Sequence, residues 1–323
     1  MASKFENIPL RTPKPDMGIT DPNAGMHLDF QPKWDIPDTI AITCAVVGGP
    51  IKRDRNPNQP YTTAEIRNAA IECIEAGARA LHIHARDDKG EGLMDMQTQI
   101  RNMHEIVDPI RAKYGYSVVI DGSECTRTDF KEEMTLIDSE LSEIAPINFN
   151  SHTPPKMYEA EAEYLRMRGV KPALALSCDG DLSRAHEFLI KKGLLEKPYY
   201  FGLLPGFGIG SSPLPDMFAT ANYLMEMIRQ IKLIYPESII SVPMAGRASS
   251  YLAAQAILFG YDIRIGMEDT YFKWPHKDDV IENNAKTFVS MKTIAENLGR
   301  RVATADEYRT KLGLPKKQAR IDI

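Results

Sequence analysis

The stretch TIAITCAVV (residues 39–47) decides the fold that this sequence predicts. It is a continuous apolar run with β-branched residues, which is typical of a strand buried on both faces in a parallel sheet. The segment TTAEIRNAAIECIEAGA (62–78) follows, with Thr62 or Thr63 placed to cap a helix and Gly77 placed to end it. The first unit of the chain is therefore a strand followed by a helix.

The same alternation continues along the chain. Seven further strand-like runs are ALHIHA (80–85), SVVID (117–121), SEIAPINF (142–149), PALALS (172–177), YYFGLL (199–204), SIISVP (238–243) and DIRIG (262–266). Amphipathic segments lie between them, and a closing helix follows the last. Eight strand–helix units are the number found in a (β/α)8 TIM barrel. An open doubly-wound sheet is the alternative, but such sheets usually have roughly five to seven strands, so the sequence favours the barrel.

The predicted barrel is a single α/β domain over residues 38–315, with an extension before it and a tail of residues 316–323 after it. Residues 1–37 are rich in Pro, Asp, Asn and Lys and lack periodicity, so we expect them to lie on the surface or on a neighbouring subunit. The irregular segment 203–216 lies where the loop after the sixth strand is expected, and long loops at that face usually carry function.

Composition excludes several classes of protein. The chain has 323 residues, 43% of them hydrophobic, and a net charge of -5, which gives no basic face for nucleic acid. No stretch approaches the roughly 18 apolar residues of a membrane span, and the N-terminus lacks the apolar core of a signal peptide. The four cysteines are dispersed, as reduced thiols usually are in a cytoplasmic protein. We therefore expect a cytoplasmic protein without membrane or nucleic-acid partners.

The first candidate site residues lie in HIHARDD (82–88). His82 and His84 are two positions apart on the second predicted strand, so their side chains project to the same face. They are either ordinary histidines of a buried strand or ligands of a metal ion, which imidazole commonly binds. The metal interpretation is favoured because the pair ends a strand, where barrel active sites lie, and polar residues follow it.

A third ligand is expected from RIGMED (264–269) at the end of the eighth strand. Only the first strand separates the second strand from the eighth in a closed barrel, so the carboxylate of Glu268 can reach the histidine pair. Two histidines and one carboxylate suit Zn²⁺, and also Mn²⁺ or Fe²⁺. The alternative is an ordinary acidic loop in which Arg264 pairs with Asp269.

Residues at other predicted strand ends are candidates for binding a substrate. Glycines after the first strand permit close backbone approach to a ligand. Polar groups after the third and fourth strands suit fixing a carboxylate, although each can instead cap the next helix. An arginine after the seventh strand lies in the usual phosphate-binding neighbourhood of a barrel. These candidates are Gly48, Gly49, Asp121, Ser123, Asn148, Asn150, His152 and Arg247.

Together these segments resemble the β-keto acid cleavage enzymes, the family of 3-keto-5-aminohexanoate cleavage enzyme. The matching pieces, within residues 40–312, are NPNQPYTTAEI, EAGARALHIHARD, GVKPALALSCDGDLSRA, AGRASSYLAAQAILFGYDIRIGMED and AENLGRRVATADEYR. The most specific part is H-x-H-x-R-D followed far along the chain by R-[VI]-G-x-E-D.

The resemblance implies a zinc-binding (β/α)8 barrel, commonly a homotetramer, that converts a β-keto acid and acetyl-CoA into acetoacetate and a new CoA thioester. It implies that Asp269 is the general base and that Arg264 is its charged partner. The metal polarises the ketone, the base takes the α-proton, and a retro-Claisen step divides the product. The residues that match the zinc ligands of the family are His82, His84 and Glu268.

Three segments depart from the family pattern. Ser123 matches a serine that contacts the substrate, but SECT (123–126) replaces a turn of small residues. The segment after the fourth strand, which in the family normally bears a threonine or serine beside the substrate carboxylate, reads PINFNSH (146–152). Pro50 stands where the aminohexanoate-cleaving enzyme has an amine-binding glutamate, so an amino-β-keto acid is not the expected substrate.

The altered loops leave two other functions open. One is a metal-dependent C–C lyase or hydrolase that acts on a small keto acid without CoA. The other is a barrel that binds a metabolite without catalysis. The intact trio of Arg264, Glu268 and Asp269 argues against a non-catalytic barrel, because binding alone has no evident need for it.

Overall fold

The alternating runs of the sequence fold into a closed barrel of eight parallel strands surrounded by helices. The computed structural model describes residues 33–92, 95–122, 130–149, 153–205, 216–243 and 245–317. The strands are β1 Thr39–Ile40, β2 Ile42–Val47, β3 Ala80–Ile83, β4 Val119–Gly122, β5 Ile144–Asn148, β6 Lys171–Leu176, β7 Tyr200–Leu203, β8 Ile239–Pro243, β9 Asp262–Ile265 and β10 Arg301–Val302. Strands β2 to β9 each pair with the next, and β9 pairs with β2. The barrel prediction is confirmed, and the open sheet is excluded.

Helices follow the barrel strands in the expected alternation. They are α1 Thr63–Glu75, α2 Met96–Tyr114, α3 Phe130–Asp138, α4 Pro155–Arg168, α5 Asp179–Arg184, α6 Met217–Ile234, α7 Ser249–Leu258, α8 Asn284–Asn297 and α9 Ala305–Leu312, and α5 continues into a π-helical segment, Ala185–Ile190. Thr62 caps α1 through a reciprocal pair of bonds with Glu65. The sequence pattern did not indicate α9, which has only eight residues, and α3, the helix of the third unit, is also short with nine residues.

The first predicted strand, residues 39–47, is divided in two at Ala41. The backbone N–H of Ala41 donates to the side chain of Asp262 at 2.9 Å. Thr39 and Ile40 then pair with Arg301 and Val302 in a separate two-stranded parallel sheet. The six residues of β2 continue into the barrel, and all of them are buried.

Helix α9 packs against the amino-terminal ends of the barrel strands. Tyr308 and Leu312 join a cluster with Ala80 and Tyr200, and the hydroxyls of Tyr200 and Tyr308 lie 3.0 Å apart. Arg309 is fully buried and donates to Glu143 at 2.6 Å. Since α9 occupies this end, the carboxyl ends of the strands form the face where a site is expected.

Some predictions concern residues outside the described ranges. The residues outside these ranges include nearly all of the extension 1–37, most of the loop 203–216 and most of the tail 316–323. Within the described ranges, no helix has both the length and the apolar character needed to cross a membrane. Three cysteines of these ranges, Cys44, Cys73 and Cys178, are free thiols.

Candidate functional site

His82 and His84 lie side by side at the carboxyl end of β3. Both are largely buried, with 3% and 8% of their surface exposed. Their spacing of two residues turns both rings to the same side of the sheet, and their Nε2 atoms are 3.1 Å apart. Two ring nitrogens are thus directed at a common point inside the barrel.

Glu268, which follows β9, reaches the same point. Its Oε1 atom lies 3.1 Å from Nε2 of His82 and 3.5 Å from Nε2 of His84. The potential ligand atoms of these three residues all lie within 4.8 Å of one another. The closure of the barrel through β2 brings the residue after β9 to the histidines of β3.

Arg264 connects Glu268 to Asp269. Its Nε donates to Oδ2 of Asp269 at 3.2 Å, and its Nη2 contacts Oδ1 of the same carboxylate. The Nη2 atom also lies 3.2 Å from Oε1 of Glu268. One guanidinium therefore balances both carboxylates at the edge of the histidine cluster.

Burial and charge shift the pKa values of this cluster. Burial raises the pKa of Asp269 to about 6, with Arg264 opposing the shift and Glu268 adding to it. For Glu268, burial is outweighed by Arg264 and the two histidines, which hold its pKa well below the ordinary value. For His82, burial lowers the pKa, but the negative charges of Glu268 and Asp121 outweigh burial and raise the pKa to about 9. The site thus stabilises positive charge at His82, and Asp269 has a pKa suited to a general base near neutral pH.

Asp121 supports His82 from the adjacent strand. The parallel register of β3 and β4 pairs the two residues, and Oδ2 of Asp121 lies 2.9 Å from Nδ1 of His82. A carboxylate on the far ring nitrogen is the usual support of a metal-binding histidine. Sequence reasoning placed Asp121 among groups that fix a substrate carboxylate, because strand register is not visible in a single sequence.

The residues present fit a divalent metal ion. Two nitrogens bound to one zinc ion at roughly 2.0–2.1 Å in tetrahedral geometry are about 3.3 Å apart, close to the separation of the two Nε2 atoms. The Oε2 atom of Glu268 is buried and has no hydrogen-bond partner among the described residues. A buried carboxylate oxygen is costly to leave unpaired, and a bound cation removes that cost.

Gly48 makes room for Glu268. A Cβ atom at position 48 would lie 2.3 Å from Cγ of Glu268, so any side chain there displaces the carboxylate. Arg86, which is fully buried, donates from Nε to the carbonyl of Gly48 at 2.6 Å and from Nη2 to that of Ile51 at 2.7 Å. Sequence reasoning did not identify Arg86 as a residue that holds the backbone at Gly48 and Ile51, although Arg86 lies in the same HIHARDD segment as the two histidines.

A cavity of about 440 Å³ adjoins the cluster. It is lined by Thr43, Gly49, Pro50, His82, His84, Asp121, Pro146, Asn148, Ala173, Ala175, Tyr200, Gly202, Leu204, Ser241, Pro243, Arg264, Glu268 and Asp269. Of the predicted substrate-binding residues, Gly49 and Asn148 line this cavity, and Gly48 lies against the side chain of Glu268. Ser123 and Asn150 are outside the described residues.

Arg247 is not among the described residues that line the cavity. Its Nη1 donates to the carbonyl of Lys277 at 2.7 Å, and its Nη2 pairs with Asp278. The guanidinium also lies 3.7 Å from the ring centroid of Phe272. The predicted phosphate-binding arginine is thus engaged by a neighbouring loop.

Comparison with known proteins gives matches to one enzyme family. A family model described as beta-keto acid cleavage enzyme matches residues 39–314. The chain is 28% identical over 292 residues to 3-keto-5-aminohexanoate cleavage enzyme from Fusobacterium nucleatum, covering 86% of this chain and 99% of that one. It is 25% identical over 305 residues to 3-dehydrocarnitine:acetyl-CoA trimethylamine transferase from Rhizobium meliloti, covering 86% and 97%.

Solved structures agree on the fold. The apo structure of ObcA is similar with a TM-score of 0.63 and 17% sequence identity, over 80% of this chain and 66% of ObcA. Similarity at this level of identity extends to the fold alone.

Proposed function

The chain belongs to the β-keto acid cleavage enzyme family, and on that basis we propose that it cleaves a β-keto acid with acetyl-CoA as co-substrate. The products are acetoacetate and the CoA thioester of the remaining fragment. The observation that carries the proposal is the convergence of His82, His84 and Glu268 beside the Arg264–Asp269 pair at one cavity. The name of the relative from Rhizobium meliloti contains acetyl-CoA, which supports the co-substrate.

His82, His84 and Glu268 would hold the metal ion, which we propose to be Zn²⁺, with Mn²⁺ or Fe²⁺ as alternatives. An ion bound there supplies Lewis acidity to a ketone oxygen. Asp121 holds the His82 ring with Nε2 toward the site, and Gly48 leaves the space that Glu268 occupies.

Asp269 is the proposed base. Its carboxylate takes a proton from the carbon between the ketone and the acid group, and Arg264 balances its charge before the transfer. The resulting carbanion attacks the thioester carbonyl of acetyl-CoA and releases the CoA thiolate. The thiolate then attacks the original ketone, and the retro-Claisen cleavage forms the new acyl-CoA and the acetoacetate carbanion. Asp269 returns its proton to that carbanion.

Substrate contacts are proposed for the remaining predicted residues. Gly48 and Gly49 would allow close approach at the loop after β2, and Asn148 would face the substrate from β5. Ser123 and Asn150 would bind the acid group of the substrate. Arg247 would bind a phosphate of CoA, for which it has to leave Asp278.

We propose that the protein acts in the cytoplasm as a homotetramer. The free thiols of Cys44, Cys73 and Cys178 support a reducing compartment. The tetramer rests on the family resemblance, and light scattering after size-exclusion chromatography tests it.

A panel of β-keto acids tests the proposed reaction. Each acid is incubated with acetyl-CoA and purified protein, and acetoacetate and the new acyl-CoA are measured by mass spectrometry. We expect both products in equal amounts, and we expect the H84A variant to lose metal and turnover. The matched control is H104A, because His104 is a half-exposed histidine on α2. If the wild-type protein consumes a keto acid without acetyl-CoA, the CoA-independent lyase or hydrolase is favoured. If the wild-type protein neither binds metal nor converts any of the acids, the proposal is overturned.

A further inference from the structure

Besides the polar residues Asn148, Tyr200 and Ser241, the described lining of the cavity contributed by β5 to β8 consists of small and apolar residues. The inward positions of (β/α)8 barrels are usually filled by bulky branched side chains. Here Ala173 and Ala175 of β6 and Gly202 of β7 face the cavity instead, and the strand register places Ala175 beside Gly202. The missing side chains leave a hollow on this side. We call its lining the apolar wall, and it consists of Pro146, Ala173, Ala175, Gly202, Leu204 and Pro243.

The charged lining residues lie on the other half of the barrel and are engaged with one another. Arg264 is paired with Asp269 and Glu268. Asp121 is paired with His82 through Oδ2, and its Oδ1 atom is buried without a hydrogen-bond partner among the described residues. Among the described residues of the lining, no charged group stands on the apolar wall to pair with a charge there.

The floor of the cavity is neutral. Thr43, Tyr200 and Ser241 line it with hydroxyl groups. The Tyr200 hydroxyl lies 3.0 Å from that of Tyr308. Burial raises the pKa of Tyr200 above its ordinary value, so this hydroxyl is neutral at physiological pH. This floor offers hydrogen bonds without a charge.

From this division we infer that the substrate of the proposed reaction is a β-keto acid with a short, uncharged aliphatic side chain that lies against the apolar wall. A second carboxylate or an ammonium group on that side chain would be buried without a partner of opposite charge among the described lining residues, which is strongly unfavourable. The cavity of about 440 Å³ is near the lower end of the range of roughly 300–1,000 Å³ for small-molecule sites, which limits the length of the side chain. The inference depends on the proposed function only for the β-keto acid group.

Three acids with the same carbon skeleton test the charge preference. They are 3-oxohexanoate, 3-oxohexanedioate and 5-amino-3-oxohexanoate, whose side chains beyond the ketone are neutral, anionic at C6 and cationic at C5. Titration calorimetry with metal-loaded protein and no acetyl-CoA measures binding apart from turnover. We expect the neutral acid to bind about tenfold tighter or more, because the charged ends lose their hydration without gaining a partner. Equal or tighter binding of a charged acid would overturn the inference.

Variants of the apolar wall test where the side chain lies. A Cβ atom at Gly202 would meet only Cγ of Pro243, at 3.7 Å, so the strand accepts G202A without strain. We expect G202V and A175L to weaken binding of 3-oxooctanoate relative to 3-oxopentanoate by roughly 10- to 200-fold, with metal content unchanged. The control A112L makes the same change as A175L on the exposed surface of α2. An unchanged ratio in variants that keep their metal would also overturn the inference.

The two proposals fail in different ways. If the neutral acid binds preferentially but no acid gives acetoacetate with acetyl-CoA, the proposed function fails and the inference stands. If acetoacetate forms only from the charged acids, the proposed function stands and the inference fails.

Discussion

The Oδ2 atom of Asp121 lies 2.9 Å from Nδ1 of His82. The two residues are opposite one another in the parallel register of β3 and β4. Because Nδ1 is engaged, Nε2 is the nitrogen directed at Glu268, 3.1 Å away. The Asp121 carboxylate therefore determines which nitrogen of His82 is available to a metal ion.

We expect the D121N variant to bind zinc about 10- to 100-fold more weakly, because the ring loses the carboxylate that fixes its orientation and raises its basicity. Zinc competition with a chelator measures the affinity. The matched control is D108N, because Asp108 and His104 form an exposed pair at 3.1 Å on α2. Equal zinc affinity in D121N and the wild type would remove Asp121 from this positioning role.

Gly48 gives a second prediction about the proposed metal ligands. The G48A variant introduces a Cβ atom 2.3 Å from Cγ of Glu268, so the carboxylate has to move. We expect loss of most bound metal and of turnover, measured by elemental analysis and by acetoacetate formation. G202A is the matched control, since its new methyl group has its nearest contact at 3.7 Å and the metal should be retained. Full metal occupancy in G48A would show that Glu268 is not a required ligand.

Asp269 should be needed for proton transfer but not for metal binding. We expect D269N to lower kcat by roughly 10²- to 10⁴-fold, because an amide cannot take the α-proton. Its metal content should remain that of the wild type. D88N serves as the control, because Asp88 is an exposed carboxylate in the loop after β3. A D269N variant with undiminished turnover would exclude Asp269 as the base.

A buried ion pair at the other end of the barrel predicts a pH dependence of stability. Glu143 is paired with the fully buried Arg309 and with Arg111. Burial alone would raise the pKa of Glu143, but the hydrogen bonds and charge of Arg309, aided by Lys317 and Arg111, lower it below 4.5. A lowered folded-state pKa means that this contribution to the free energy of unfolding is complete above the unfolded-state pKa. It is lost as the pH falls through the folded-state pKa.

The E143Q variant tests this dependence. We expect it to be less stable than the wild type by about 3 kcal/mol at pH 7, because the buried Arg309 loses the charge of Glu143 and keeps only Asp306, whose side chain is partly exposed. The difference should shrink as the pH falls below 4.5, where the wild type loses the same carboxylate charge. Urea unfolding across this range measures it. The control E226Q removes an exposed carboxylate of α6, and a difference for E143Q that does not change with pH would contradict the prediction.

Much of the architecture was accessible from the sequence, because its signals are local. A strand buried on both faces requires a continuous apolar run, and a helix requires a cap and a 3.6-residue period, so the eight units could be counted along the chain. The placement of His82 and His84 on one face follows from the two-residue period of a strand. The break at Ala41 could not be predicted, because it depends on Asp262, more than two hundred residues away.

The sequence by itself determined the succession of strands and helices and the residue types at the strand ends. The sequence also predicted that Glu268 reaches the histidines in a closed barrel, but the other contacts of the site were decided only by the tertiary structure. Closure of the barrel brings Glu268 to the histidines, and strand register pairs Asp121 with His82. An ion pair with Asp278, in a neighbouring loop, holds Arg247 outside the described lining of the cavity. The same closure made the small residues of β6 and β7 into one wall of the cavity. The physical reason is range: periodicity and capping act within a few residues, whereas register and closure depend on packing between residues distant in the chain.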